Sequence, residues 1–503
     1  MRGNEVYLHQ DLESFYPDKS DYFNPSETYP EYPFAGEVSA SSNKVYGMIR
    51  NCLYHMGFDK ENFGKKNWNP LKEMIHPGEV VLVKTNMVMH VNEKPGNGTE
   101  CLITHPSLVR AVLDYVILAL GGKGKIIVGD APMQSCDFEW LVEEQGYLDL
   151  INFYKDKGVM VELADFRNYK TAYKNGILQR LENEKENEAI IVDLGSKSEF
   201  CSLEQDRYQN LRITNYDHSI MKEHHNSRKN EYSIAKSILE ADVIINMPKP
   251  KTHRKAGVTI ALKNLVGINT NKEWLPHHTA GSKTEGGDEY DKKSILKKLR
   301  THFLEKADVS TLKGRKLQTR LNYQLAFAFS VLGRLFLKER YREGSWYGND
   351  TIWRTILDLN KIVFFADKEG CMKDSKQRRM LIVADMIISG EGEGPLLPDP
   401  IKVGIIAMGQ NPICFDEAIA SVMGFKPSLI PTISNAHGMK WNNFSEPEKT
   451  LLTSNLINYH RKRPDDLAYE DTLKFTPSEG WRNHLTFQVS LNQDTIQETV
   501  SQA

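Results

Sequence analysis

The sequence predicts an α/β fold: a mostly parallel sheet with flanking helices, interrupted by a helical insertion. Three observations carry that expectation. Near-continuous apolar runs at 79–84, 125–130, 242–246, 380–388 and 402–408 mark strands covered on both faces. Helical stretches separate many of them, so that strand, helix and strand recur within about 50 residues, the spacing of a βαβ unit. Pro and Gly punctuate the joints, as with Pro106 in a first helical turn and Gly121-Gly122 at the same helix's end.

Taken in order, residues 1–77 are rich in Tyr, Pro, Asn and Ser and read as an extension wrapping a core. After Pro77-Gly78 come strand 79–84, a helix following Thr104-His-Pro-Ser107, strand 125–130, a helical stretch at 138–157, and strands at 159–164 and 189–193. Residues 232–240 read as a helix feeding strand 242–246, whereas 168–188 and 196–230 are charged and read as surface loops or insertions. The segment 272–345, rich in Lys and Arg, has a Gly-rich stretch at 279–288 and two expected helices; it reads as an insertion between two parts of one core. A helix near 351–360, strands 380–388 and 402–408, and a helix at 415–423 closed by Gly424 complete the alternation. The expected division is thus 1–77, 78–271, 272–345 and 346–503.

Composition narrows the function classes. A net charge of -2 offers no basic footprint for nucleic acid, so local positive charge points to a small anion. The six cysteines (52, 101, 136, 201, 371, 414) contain no CxxC pair, which argues against disulfide frameworks, iron–sulfur clusters and thiolate zinc, and favours a reduced cytoplasmic setting. The N-terminus lacks the apolar run of a signal peptide. Residues 321–337 are apolar but short for a span and contain Arg334; they read as a buried or protein-covering helix, or as an interfacial helix making peripheral membrane contact.

The stretch from Asn246 to Gly267 is the most informative. After an apolar strand it places Lys249, Lys251, His253, Lys255 and Lys263 in a loop and short Gly-terminated helix. In open α/β sheets ligands sit beyond the carboxyl ends of strands, and Lys side chains there favour anions. Any one of these lysines is also readable as a solvated loop charge. Lys263 is the sharper candidate, because it falls inside an apolar run, where burial would depress its pKa and make it a base or nucleophile. Six of the 15 histidines (218, 224, 225, 253, 277, 278) lie within 61 residues. His253, and His277 or His278, are the acid–base or metal candidates among them. Glu391 and Glu393, in the Gly-rich stretch after strand 380–388, are candidates to pair with the lysines, orient a His or bind a cation, or are a plain polar turn. Lys84, Asn86 and Asp130 end two neighbouring strands and are placed to line the same cleft.

These stretches resemble the bacterial and archaeal family called domain of unknown function 362: VVLVKTN (80–86), THPSLVRAVL (104–113), IIVGDAP (126–132), ADVIINMPKPKTHRKAGVTIALKNLVGI (241–268), GNDTIWRTILDLN (348–360), ISGEGEGP (388–395) and GQNPICFDEAIASVMG (409–424). A weaker likeness joins the 241–268 segment to the nickel-pincer lactate racemases, and implies a lactate-racemase-like two-lobed core. By that resemblance His253 matches an acid–base residue and Lys263 the residue that holds the cofactor covalently, with His277 or His278 near the place of a nickel ligand. The chain departs from the racemases by carrying Gly129-Asp130 where they have a second catalytic His, and Lys84 and Asn86 where they grip the substrate with an Arg.

Two functions follow as expectations. One is an enzyme working on a small carboxylate- or phosphate-bearing anion through His253 and Lys263, with Lys84, Asn86, Asp130, Lys249, Lys251, Glu391 and Glu393 around them; isomerase or racemase-like, redox and transferase chemistry all stay open. The cofactor is open between none, nickel and a Lys-linked group, with no iron–sulfur cluster. The other is a non-catalytic ligand-binding or assembly protein, of a surface-polysaccharide pathway.

Overall fold

The computed structural model describes residues 3–174, 177–183, 188–214, 219–336, 343–438 and 449–485. It is α/β, with a ten-stranded, mostly parallel central sheet, helices packed on it, and no closed barrel among the described residues. In chain order its elements are β1 (Glu5–Gln10), α1 (Lys44–His55), β2 (Val80–Lys84), α2 (Pro106–Leu120), β3 (Lys125–Asp130), α3 (Phe138–Glu144), α4 (Tyr147–Asp156) and β4 (Val161–Asp165). After a small lobe come α5 (Lys236–Glu240), β5 (Val243–Asn246), β6 (Lys251–His253), β7 (Gly257–Thr259) and α6 (Ala261–Asn264). The helices α7 (Ile295–Leu312) and α8 (Lys316–Phe336) follow, then α9 (Ile352–Phe365), β8 (Arg379–Glu393), β9 (Leu397–Gly409), α10 (Pro412–Val422) and β10 (Leu451–Ser454).

The strand order is β10-β1-β9-β8-β5-β2-β3-β4, with β6 paired to β7 and β8. The run from β8 to β4 is parallel, and β9 enters antiparallel between β8 and β1. Continuous apolar strands are explained by two cores. Val81, Val83, Ile126, Val128, Val243 and Ile245 join one hydrophobic cluster, while the intervening Leu82, Ile127 and Ile244 join the other. Successive side chains point to opposite faces, so a strand apolar at every position must be covered on both.

Local signals set several boundaries. Pro106 opens α2, the His105 side chain accepts from the Ser107 amide, and Gly121 closes the helix at φ 57 in the left-handed region. The helical stretch expected at 138–157 is two helices, because Gly146 adopts φ 82 between them. Two readings are corrected. Residues 229–235 form a strand, Lys229–Ala235, antiparallel to Ala189–Asp193, and only Lys236–Glu240 is helical. Tyr232, Ser233, Ile234 and Ala235 are all buried there, laddered against Val192 to Ala189, a pairing with a distant strand that the local sequence does not show. The Gly-rich stretch 389–393 is not a loop: β8 continues through it, paired with β9 as far as Glu393 with Leu397.

The expected surface loop 168–188 contains a hairpin, Tyr169–Lys174 with Ile177–Glu182. Segment 272–345 holds the two expected helices, α7 and α8, packed as an antiparallel hairpin. No helix among the described residues is long and apolar enough to cross a membrane.

Candidate functional site: a cationic cavity at the strand ends

β2, β3 and β5 run parallel, so Lys84, Asp130 and Asn246 end at one edge of the sheet; in register, Asn246 faces Lys84 and Lys84 faces Gly129. Beyond β5 the chain folds into the antiparallel pair β6 and β7, with Gly257 at φ 80, and returns through α6 and a 3-10 turn, Leu265–Ile268. A cavity of about 160 Å³ lies between this segment and the strand ends. Gly267 is where the return passes closest to the strands. A Cβ there would come within 2.0 Å of Asp130 Oδ1 and 2.7 Å of Lys84 Nζ, so only glycine fits.

Five cationic side chains line the cavity: Lys251, Arg254, Lys255, Lys263 and Lys272. Asp130 also lines it, but its Oδ1 pairs with the buried Lys84 ammonium at 2.7 Å and its Oδ2 accepts from the Met87 amide at 2.6 Å. Among the described residues Lys251 has no carboxylate partner; its Nζ donates to Asn86 Oδ1 at 2.7 Å and to the Leu102 carbonyl. Asn86 then donates to Asn264 at 2.7 Å, and Asn264 to Asn246 at 2.7 Å, an amide relay that fixes the lysine. Lys255 donates to Thr214 at 3.1 Å. Lys272 lies 3.5 Å from the Val266 and Asn269 carbonyls. Lys263 reaches the cavity with no hydrogen bond or ion pair to a described residue.

Burial penalises the charged form more than nearby carboxylates (Glu343 for Lys255, Asp130 for Lys272) restore it, so these ammonium groups are easier to deprotonate. Burial, aided by Lys249, lowers Lys251 to about 7. It lowers Lys272 to about 7, and Lys255 and Lys263 to about 8, with Lys255 adding to the effect on Lys263. Lys84 is lowered by burial, against which the adjacent Asp130 acts.

The two cavity histidines are held in opposite neutral forms. His253 Nδ1 accepts from the Lys255 and Ala256 amides, both at 3.1 Å, so its proton sits on Nε2. His277 Nδ1 lies 2.8 Å from the Leu275 carbonyl, which can only accept, so the proton sits on Nδ1 and Nε2 is a free lone pair. Both are held well below the ordinary imidazole range, chiefly by burial, with Lys263 adding to His253 and Lys255 to His277.

Of the residues singled out by sequence, Asn86, Asp130, Lys251, His253, Lys263 and His277 meet in this cavity, with Lys84 directly behind Asp130. Others go elsewhere. Lys249 forms a buried ion pair with Asp385 at 3.0 Å and donates to Tyr16 at 2.6 Å. Glu391 and Glu393 accept from the Thr476 and Glu479 amides at 2.7 and 2.6 Å, clamping the C-terminal segment. His278 is buried in a two-residue strand paired with Leu211–Arg212. His224 stacks on Trp274 and pairs with Glu231 at 2.9 Å, and His225 is buried against Asn230 and the Trp274 carbonyl. His218 lies outside the described residues. The donors present do not fit a nickel site: among the described residues no three His, Cys, Asp or Glu side chains are placed to hold a metal ion, and Asp130 is engaged by Lys84. Lys263, which has no hydrogen bond or ion pair among the described residues, does fit covalent attachment of a group.

Three cavity residues lacked any local signal. Lys272, Leu275 and Thr214 come from segments whose sequences read as an insertion and a surface loop. The pairing of His278 with Arg212 and Thr279 with Leu211 draws both segments to the cavity, a long-range contact that no short motif encodes.

The profile of the family described as "Domain of unknown function (DUF362)" matches residues 81–186 and 201–421. A thylakoid-associated protein of Synechocystis sp. is 25% identical over 198 residues, covering 39% of this chain and 41% of that protein's length. A crystal structure of a Thermotoga maritima protein aligns over 71% of this chain and 54% of that one, at 13% identity and a TM-score of 0.25.

Proposed function

This chain belongs to the DUF362 family, and from that premise we propose that it is an enzyme acting on a small carboxylate- or phosphate-bearing substrate held in the Lys/His cavity. One observation carries the reading: five cationic side chains line the cavity, and the carboxylate on its wall is already neutralised by Lys84. An anion bound there would restore the charge that burial suppresses on the lysines, which makes binding favourable. Val88, Met133, Ile213 and Leu396 supply an apolar wall for the rest of the molecule.

In this reading Lys251, Lys255, Lys263 and Lys272 bind the anionic group. His253 presents an Nε2–H that donates a hydrogen bond to a substrate oxygen without giving up its proton, and the Nε2 lone pair of His277 takes a proton from the substrate and returns it. That is isomerase- or racemase-like chemistry. Lys263, near a pKa of about 8, is a second base or a nucleophile. A group attached covalently to Lys263 would supply electrophilic chemistry at that position, and native mass spectrometry would detect it as added mass.

The test is a titration of the chain with small carboxylates and phosphates, repeated with His253→Ala and Lys263→Ala, with circular dichroism as the folding control. Loss of binding or turnover supports the assignment; binding and turnover that survive both changes overturn it.

A second reading, a non-catalytic ligand-binding or assembly protein of a surface-polysaccharide pathway, draws on the rigidity of the cavity. Lys251, Lys255 and Lys272 are each held by a protein oxygen, as in a fixed receptor. A ligand that binds and is recovered unchanged, without proton exchange into heavy water, would favour it. We place the protein in the cytoplasm because all six cysteines are free thiols. The name of the Synechocystis relative points instead to a membrane setting, and cell fractionation distinguishes the two.

A further inference from the structure

We propose that α8 docks this protein on the surface of an anionic lipid bilayer, lying in the plane of the interface. The first observation is exposure. Leu317, Leu321, Phe327, Leu335 and Phe336 are 85%, 56%, 69%, 72% and 75% exposed. With about 3.6 residues per turn, Leu317, Leu321 and Leu335 align along one face, flanked by Phe327 and Phe336. The opposite face carries the buried Ala326 and Ser330, turned toward the body of the hairpin. Large side chains on one side of one helix form a patch that a protein working alone in water rarely leaves uncovered.

The second observation is charge. From Val309 to Phe336 the chain contains Lys313, Arg315, Lys316, Arg320 and Arg334, and no Asp or Glu. Lys313, Arg315, Lys316 and Arg320 are exposed around the turn that joins α7 to α8. An apolar face bordered by basic residues complements a surface that is hydrocarbon within and anionic at its headgroups. A second copy of the chain would offer this helix no acidic residue from the same segment to pair with. The helix's 21 residues make it about 32 Å long, yet it is too polar to span. It would therefore lie on the bilayer.

The experiment uses the full chain and flotation with extruded vesicles, either of phosphatidylcholine alone or of phosphatidylcholine mixed equally with phosphatidylglycerol. Binding to the anionic vesicles should exceed binding to the neutral ones by at least about ten-fold at low salt, and fall as salt screens the charges. The variant Leu321→Glu/Phe327→Glu/Leu335→Glu should lose binding. Arg315→Gln/Lys316→Gln/Arg320→Gln should lose the preference for anionic lipid. If the triple Glu variant does not fold by circular dichroism, Phe327→Ser replaces it, with a several-fold loss expected. Absence of wild-type binding to anionic vesicles overturns the proposal, as does equal binding by the folded variants. A solution dimer that the Glu substitutions dissociate, without vesicle binding, assigns the face to a second copy and also overturns it.

Discussion

The Lys84 ammonium and the Asp130 carboxylate meet at 2.7 Å, both buried, at the carboxyl ends of two adjacent parallel strands. Gly267 passes over the pair too closely to carry a side chain. The pair neutralises the carboxylate on the cavity wall and leaves the remaining cations to set the field.

Breaking that pair from one side should be costly. Asp130→Asn leaves Lys84 buried without its counter-charge, and a loss of about 3–5 kcal/mol is expected in urea denaturation. Gly267→Ala should also destabilise the protein, because the added methyl group collides with both partners. A stability unchanged by Asp130→Asn would mean that the pair contributes nothing to the fold.

Stability and anion affinity should move in opposite directions with pH. Lys251 and Lys272 fall from an ordinary 10.5 to about 7 on folding. Between those values the unfolded chain holds more protons than the folded one, so these groups make stability rise as pH rises from about 7 toward 9, by on the order of 1 kcal/mol per lysine. The cavity loses positive charge over the same window. Sulfate, whose own charge is constant there, should bind about ten-fold or more weakly at pH 9 than at pH 7 in calorimetry, with proton uptake on binding. Affinity independent of pH would show that these lysines do not hold the anion.

The two histidines should be distinguishable by nitrogen NMR. At pH 7, His253 should show its proton on Nε2 and His277 on Nδ1, and neither should titrate near 6.5, because burial holds both well below that range. A common tautomer, or a cationic form at pH 6, would remove the donor–acceptor contrast.

Trp481 should matter more than its distance along the chain suggests. It is fully buried, donates to the Arg254 carbonyl at 2.9 Å, and its ring would lie 3.2 Å from a Cβ on Gly257. Trp481→Ala should cost about 3–5 kcal/mol and speed hydrogen exchange in β6 and β7. Unaltered exchange there would mean that the C-terminal segment does not brace the basic loop.

The apolar runs that form β2, β3, β5, β8 and β9, the capped helix α2 and the basic stretch after β5 were all legible, because each depends on local chemistry: hydrophobic periodicity, proline and glycine, and charge density. His253 and Lys263 were legible for the same reason. Lys249 looked equivalent to Lys251, yet Asp385 and Tyr16 take up Lys249, whereas Lys251 is held by Asn86 and the Leu102 carbonyl. Glu391 and Glu393 read as ligand-loop acids, yet the pairing of β8 with β9 turned them toward the C-terminal segment.

By itself the sequence determined the α/β class, the parallel core and the edge of the sheet where charge collects. Tertiary structure alone decided which cations share the cavity, that Lys272 and Thr214 join them, that His277 and not His278 does, and which ring nitrogen each histidine presents. Strand and helix follow from interactions between near neighbours, whereas a counter-charge or a protonation state is set by whichever distant residue folding brings within hydrogen-bond reach.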